Sequence, residues 1–253
     1  VASVKAALLN LVPHVPIVDI SHHVRPFDIH GAAFMLRSVW QQFPMGSVHV
    51  IGVQPEYAAN QAHLVIQYLS HFFIGADNGI FGLLFDEQPE DIFEITLPQG
   101  DDWNFPMKGV FAVCAAHLAK SGAPEFLGRR ITTYKKPGRL IPTIEENQIM
   151  AYVAHIDHYG NVYTNLERAT FEMIRNGRDF EIIPKRISQS IRKISASFHE
   201  GRDGDVLAFW ASNGLMMLAI RNGAVGSGGG FAGLFGFHVN DSLRIELHGE
   251  ANR

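Results

Sequence analysis

Asp157, Asn161 and Tyr163 put a carboxylate, an amide and an aromatic ring within seven positions. Those groups can hold an amine, the edge of a heterocycle and the face of a ring. They sit in the segment 154–165, where an apolar run ends in an acid, a Tyr-Gly-Asn turn follows, and Val-Tyr-Thr resumes a β-type pattern. The pattern predicts two short strands joined by a tight turn. An ordinary hairpin with polar turn residues has the same spacing, so this segment alone does not fix a chemistry.

Other constellations carry less. The run Gly226–Gly230 lacks the strand, spaced glycines and helix of a dinucleotide loop, and reads as a flexible loop. His22 and His23 are adjacent, and on a strand they would face opposite sides, so they cannot share one ion. His155 and Asp157 would share a strand face, but no third metal ligand stands nearby in sequence. Neither a Gly-x-Ser-x-Gly elbow nor a Walker loop is present. The lone Cys114 lies in an apolar helix-like run without a neighbouring cation, which predicts a buried, inert thiol.

Around these residues the chain alternates between strand and helix signals. Residues 1–11 read as a helix already under way and not as a signal peptide. Residues 17–20 read as a short strand, 30–42 as helix, 47–53, 63–69 and 72–74 as β-rich, and 108–120 as helix. This rhythm predicts an α/β N-terminal domain, 1–131, with a mixed sheet and flanking helices. A linker over 132–147 contains Tyr-Lys-Lys-Pro-Gly-Arg. Short strands with turns then predict an all-β, barrel-like antiparallel domain over 148–253. With 47% hydrophobic and 18% charged residues, the 253-residue chain can bury a core. A net charge of −4 gives no footprint for nucleic acid. No apolar run reaches the roughly 18 residues that span a bilayer. The single cysteine suits a reducing compartment, so a cytoplasmic location is expected.

Three segments together carry a resemblance that covers nearly the whole chain in order: Ile17–Ile29 with the following helix and 43–50, Phe73–Phe81, and His155–Asn165. Weaker support comes from 111–119, from Ala211–Gly214 and from Ala219–Gly223. The chain resembles the superfamily of S-adenosylmethionine hydroxide adenosyltransferases and the related fluorinases and chlorinases. The resemblance implies homotrimers that bind S-adenosylmethionine as substrate, with no separate cofactor or metal, between the N-domain of one subunit and the C-domain of the next. It implies displacement at ribose C5′, with methionine leaving and water or halide entering. By motif position, Phe27 would stack on the nucleoside, Asp157 would take the methionine ammonium, Asn161 the adenine edge, and Tyr163 would form an aromatic wall. Ser212, Asn213, Arg221, Asn222 and Gly223 would complete the contacts. Aromatic faces attract a sulfonium, and an ammonium calls for a carboxylate. A packing aromatic at a helix entrance is the alternative for Phe27. A trimer would also bury the apolar, glycine-rich segment 229–237.

The departures are as informative. The family's water-activating Asp, Arg and His fall on Gln54, Gln61 and Pro106. Glutamine can orient water but cannot accept its proton near neutral pH. Glu56, Tyr57 and Lys108 lie near the lost positions, which makes Gln54, Gln61 and Lys108 the catalytic candidates. The family's first strand, with its ribose-binding Asp, is absent from this sequence. The stretch from Phe85 to Trp103 is too short for a fluorinase-type insertion. Three outcomes are open: slow hydrolysis of S-adenosylmethionine or halide transfer, a catalytically silent binder of S-adenosylmethionine or adenosine, and a structural trimer without ligand.

Overall fold

The computed structural model describes residues 1–56, 58, 61–96, 104–185, 190–223 and 230–249. The glycine run at 226–229, Tyr57 and Trp103 lie outside these. The chain divides into two compact units, Val1–Gly138 and Arg139–Arg253. The division falls inside the stretch read as linker.

The first unit contains α1 (Ala2–Leu11), α2 (Ile29–Arg37), β1 (Val48–Val50), β2 (His63–Tyr68), β3 (His71–Ala76), α3 (Ile80–Leu84), β4 (Asp91–Ile95), α4 (Ala112–Ala119) and β5 (Gly128–Ile131). A single π-helical turn, Met107–Phe111, leads into α4. The sheet order is β1-β3-β2-β4-β5. Only β1 and β3 run parallel; the other pairs are antiparallel, so the sheet is mixed as expected. Both faces are apolar. Leu64, Ile66, Phe73 and Ile92 pack with α2 and α3, while the intervening Val65, Ile74 and Phe93 pack with Val110, Phe111, Cys114 and Leu118. Alternate residues of a strand point to opposite faces, and two buried faces explain the near-continuous apolar runs. Cys114 is fully buried, and burial pushes its thiol up to about 12, as its inert reading requires.

The strand expected at 17–20 does not form. Among the described residues nothing pairs with it, and Asp19 is held instead by Lys5 at 2.5 Å and His22 at 3.0 Å. The strands β4 and β5, unmarked in the sequence reading, are tied by cross-strand charges. Glu94 and Arg129 are register partners and meet at 2.7 Å, and Arg130 pairs with Asp91.

The second unit contains β6 (Thr143–Glu145), β7 (Gln148–Ile156), β8 (Val162–Glu167), α5 (Arg168–Arg175), β9 (Asp179–Ile183), β10 (Val206–Trp210), β11 (Leu215–Ile220), α6 (Phe231–Phe235) and β12 (Ser242–His248). Its antiparallel sheet runs β10-β11-β8-β7-β12-β9, with β6 on β7. The sheet curls, and one segment stitches its two ends. Ile191 exchanges both backbone hydrogen bonds with Ile182 of β9, and Ser195 donates to Ala208 of β10. Closing the edges in this way removes unpaired backbone that would otherwise invite other strands. Phe231, Phe235 and Phe237 lie in this unit's own core, so the segment 230–237 needs no subunit contact to bury its rings.

In the first unit, His49 of β1 and His71 of β3 form a buried pair, Nε2 to Nδ1 at 3.1 Å, with rings stacked 5.3 Å apart. Phe73 stacks on His49 and the edge of Trp40 meets His71. Burial, then the neighbouring His71, pushes His49 down to about 4; burial also lowers His71. The unfolded chain therefore binds these protons at a higher pH than the folded one. Stability contributed by the neutral pair is full above the ordinary histidine range and is lost as pH falls toward the folded value. Urea unfolding at pH 7 and pH 4.5 is expected to show wild type losing about 2–3 kcal/mol more than His49→Phe over that interval. Equal losses in the two proteins would refute a neutral buried pair.

Candidate functional site

The candidate residues fall into two sets, one in each unit. In the first unit, Phe27 precedes α2. Asp28 caps that helix by accepting from Gly31 N at 2.8 Å. A Cβ at position 31 would stand 2.4 Å from the Asp28 carboxylate, so a larger residue there would push the cap aside. Phe27 takes φ 67 and is 69% exposed. A bulky side chain in the left-handed region costs about 1–3 kcal/mol. Its ring is presented to solvent and does not pack at the helix entrance. Ile29, two residues on, lies against Gly79, so this corner flanks the loop that follows β3.

The loop after β1 lies beside the same β3 loop, at the C-terminal ends of the two parallel strands. Ligands of α/β sheets commonly bind at such ends. Asn78 donates to Val53 O at 2.8 Å and to Gln54 O at 3.4 Å, and its Oδ1 accepts from Ile80 N. Gln61 Nε2 donates to Gln54 O at 3.0 Å and Glu56 O at 2.7 Å. Gln54 and Gln61 are thus brought together, with Gln54 at φ 45. Lys108 is exposed on the π-helical turn, whose Met107 lies against Gly52.

A residue missed in the sequence reading underlies this loop. His63 is buried, with Nε2 at 2.8 Å from Pro55 O. A carbonyl only accepts, so the proton sits on Nε2. Burial pushes the imidazole down and keeps it neutral. Its only signal in the sequence was a polar residue opening an apolar strand.

In the second unit, the expected hairpin forms between β7 and β8, and Asp157 organises it. Asp157 Oδ1 accepts from Tyr159 N at 2.9 Å and Asn161 N at 3.0 Å, and Oδ2 accepts from Asn161 Nδ2 at 2.9 Å. Asp157 N donates to Asn161 O at 3.1 Å. A carboxylate has about four lone-pair sites, and three are in use. The contact with Oδ2 fixes which way the buried Asn161 amide faces: nitrogen toward Asp157, carbonyl away. Gly160 has φ 79, and a Cβ on it would stand 2.9 Å from Gly230 Cα. Two facing glycines let Ala232 N reach Gly160 O at 2.9 Å and seat α6 against the turn. Tyr163 is half-buried; burial and then the Asp157 charge push its hydroxyl up.

The remaining candidates separate along the β8–β11 ladder. Leu218 pairs with Val162 and Leu215 with Glu167. Arg221, Asn222 and Gly223 therefore follow the end of β11 nearest the Asp157 turn. Ser212 and Asn213 occupy the β10–β11 turn at the opposite end, about 17 Å away along β8. The structure does not gather Ser212 and Asn213 with Asp157 and Asn161. The side chains of Arg221 and Asn222 are already engaged: both meet Asp203 Oδ1, at 3.4 and 2.7 Å, and Arg221 also donates to Phe198 O.

Replacing Asp157 by Ala orphans two backbone N–H groups and one side-chain amide, so urea unfolding is expected to show a loss of about 2–4 kcal/mol. Asp157→Asn should cost less and release the Asn161 amide from its fixed orientation, seen as a shifted side-chain amide resonance. An Asp157→Ala protein as stable as wild type would show that the carboxylate does not hold the turn.

The description "SAM hydroxide adenosyltransferase N-terminal domain" matches residues 1–128, and "SAM hydroxide adenosyltransferase C-terminal domain" matches 151–244. The chain is 28% identical to an (R)-S-adenosyl-L-methionine hydrolase of Thermus thermophilus, over 88% of each protein. It is 25% identical to a fluorinase of Nocardia brasiliensis, over 88% of this chain and 86% of that one. An uncharacterised conserved protein from Thermotoga maritima shares the fold, with a TM-score of 0.86 at 23% identity over 96% of this chain and 94% of that one. With both domains matched in order over most of its length, the chain belongs to the SAM hydroxide adenosyltransferase family.

Proposed function

We propose that this protein binds S-adenosylmethionine or adenosine and, when it turns over, cleaves S-adenosylmethionine slowly by displacement at C5′. The observation that carries the reading is the Asp157–Asn161 turn. Adenine's exocyclic amine donates and its ring nitrogens accept. The Asn161 amide, clamped by Asp157, offers a carbonyl and its second N–H in one fixed orientation. The unused lone pair of Asp157 faces the same end of the ladder as Tyr163 and can take an ammonium. The exposed, strained ring of Phe27 supports a stacking role toward a nucleoside, supplied in a homotrimer by a neighbouring subunit. Ser212 and Asn213 are left out of the adenine-binding end.

In hydrolysis the water oxygen bonds to C5′ as the C5′–S bond breaks, the electron pair leaves with methionine sulfur, and the water proton must go to a base. Gln54 and Gln61 offer amides and His63 is buried beneath them, which leaves Glu56 as the carboxylate that the described part of this loop carries. A halide has no proton to lose, so this loop handicaps halide attack less. Catalytic silence is the second reading, and the same loop supports it.

Calorimetry with adenosine and S-adenosylmethionine is expected to show binding that weakens by about 1–3 kcal/mol in Asn161→Ala. Absence of heat and of thermal shift with both ligands would end the proposal. Light scattering is expected to report a trimer; a monomer at micromolar concentration would remove the shared site. Adenosine release, followed by chromatography, is expected to rise well above wild type in Gln54→Asp/Gln61→Arg/Pro106→His, because a base and an orienting cation typically supply about 10²–10⁴-fold through proton transfer and positioning. Aspartate also tolerates the positive φ at position 54 better than glutamine. Wild-type turnover on the order of 1 s⁻¹ or faster would show another way of activating the nucleophile.

A further inference from the structure

We propose that the second unit carries a separate ligand site, for a small organic phosphate or carboxylate, in the cavity beneath α5. The cavity has a volume of about 590 Å³, within the range of small-molecule sites. It lies at the Ser212–Asn213 end of the β8–β11 ladder, away from Asp157: Trp210 closes β10 there, and Arg168 N donates to Gly214 O at 3.0 Å.

The charge of the lining departs from that of the chain. Arg168, Arg175, Arg192 and Lys193 face it with only Glu172 and Glu200 as acids, a balance of +2 in a protein of net −4. Three of the bases are engaged. Arg175 meets Glu172 at 3.6 Å, Lys193 meets Glu200 at 2.6 Å, and Arg192 turns to Glu181 at 3.1 Å. Among the described residues the Arg168 guanidinium has no partner.

Two more donors are in the same position. Ser195 is 8% exposed, and its backbone is fixed by the bond to Ala208, yet its hydroxyl has no partner among the described residues. The half-buried Trp210 indole N–H likewise has none. An exposed guanidinium, a hydroxyl and a half-buried indole N–H line one cavity without a protein acceptor among the described residues, so water or a ligand must supply one. A carboxylate or phosphate supplies several acceptors and a countercharge. Trp210 and the Phe180 ring, itself covered by the Arg175 guanidinium at 5.1 Å, form an apolar wall. The ligand is therefore an oxyanion joined to a flat or apolar body, and bare phosphate would leave most of the volume unfilled.

Titration of the intrinsic fluorescence with phenyl phosphate, benzoate and inorganic phosphate tests this, with sodium chloride at matched ionic strength as control. A saturable change with phenyl phosphate or benzoate is expected, at least tenfold weaker with inorganic phosphate. Comparing phenyl phosphate with benzoate distinguishes the two headgroups. Trp210→Phe should remove the optical signal, with binding still visible as a thermal shift. Arg168→Ala and Arg168→Gln, each checked for folding by circular dichroism, should weaken binding at least tenfold. Asn161→Ala should leave it unchanged, which separates this site from adenosine binding. No saturable change with any probe, the same change with sodium chloride, full affinity in both Arg168 variants, or loss in Asn161→Ala would each overturn the proposal.

Discussion

Much of the second unit's order around the β7–β8 turn depends on one carboxylate. Asp157 gathers two backbone N–H groups and one side-chain amide into a five-residue turn. Three charge-assisted hydrogen bonds converge on it, each stronger than a neutral one. That convergence sets the register at the start of β8, orients Asn161, and holds Gly160 where α6 can dock. The docking in turn needs a glycine on each side, since a Cβ on Gly230 would meet Tyr159 O at 2.0 Å. A single acid thus holds the turn's backbone and sets the Asn161 amide at once, and the two effects cannot be varied independently.

The first unit solves its positioning problem differently. No carboxylate organises the loop after β1. Amides and a neutral imidazole pin its backbone carbonyls instead: Asn78 and Gln61 reach Gln54, and His63 reaches Pro55. Among the described residues, the loop's carbonyls are held by neutral donors.

What was legible in the sequence followed from periodicity. The apolar, β-rich run over 63–69 is bounded by polar residues and turns, and its edges were placed within a residue of β2. The family match was carried by short motifs whose order survives divergence. Legibility failed where partnership decides. β5 carried no signal of its own in the sequence, and its arginines find their place only against Glu94 and Asp91 of β4. Residues 17–20 have strand composition but no ladder beside them. The rings of 231–237 suggested an interface, but the close approach of Gly160 and Gly230 lets them turn inward. The chemistry of Asp157, Asn161 and Tyr163 was visible in composition. Their bonds to one another, and the distance to Ser212, were not.

The π-helical turn at Met107–Phe111 has its own consequence. Such a turn accommodates one extra residue inside a helix, with i to i+5 bonding in place of i to i+4. Each residue advances a helix by about 100°, so the two sides of the turn are out of phase by that angle. The face that Cys114 and Leu118 bury therefore does not extend backward through Pro106 and Lys108 by simple counting. A residue swapped into this stretch to mimic a relative would need to match angular position and not merely alignment column. Shortening the turn by one residue would swing the whole 104–108 segment around the helix axis while leaving α4 in place.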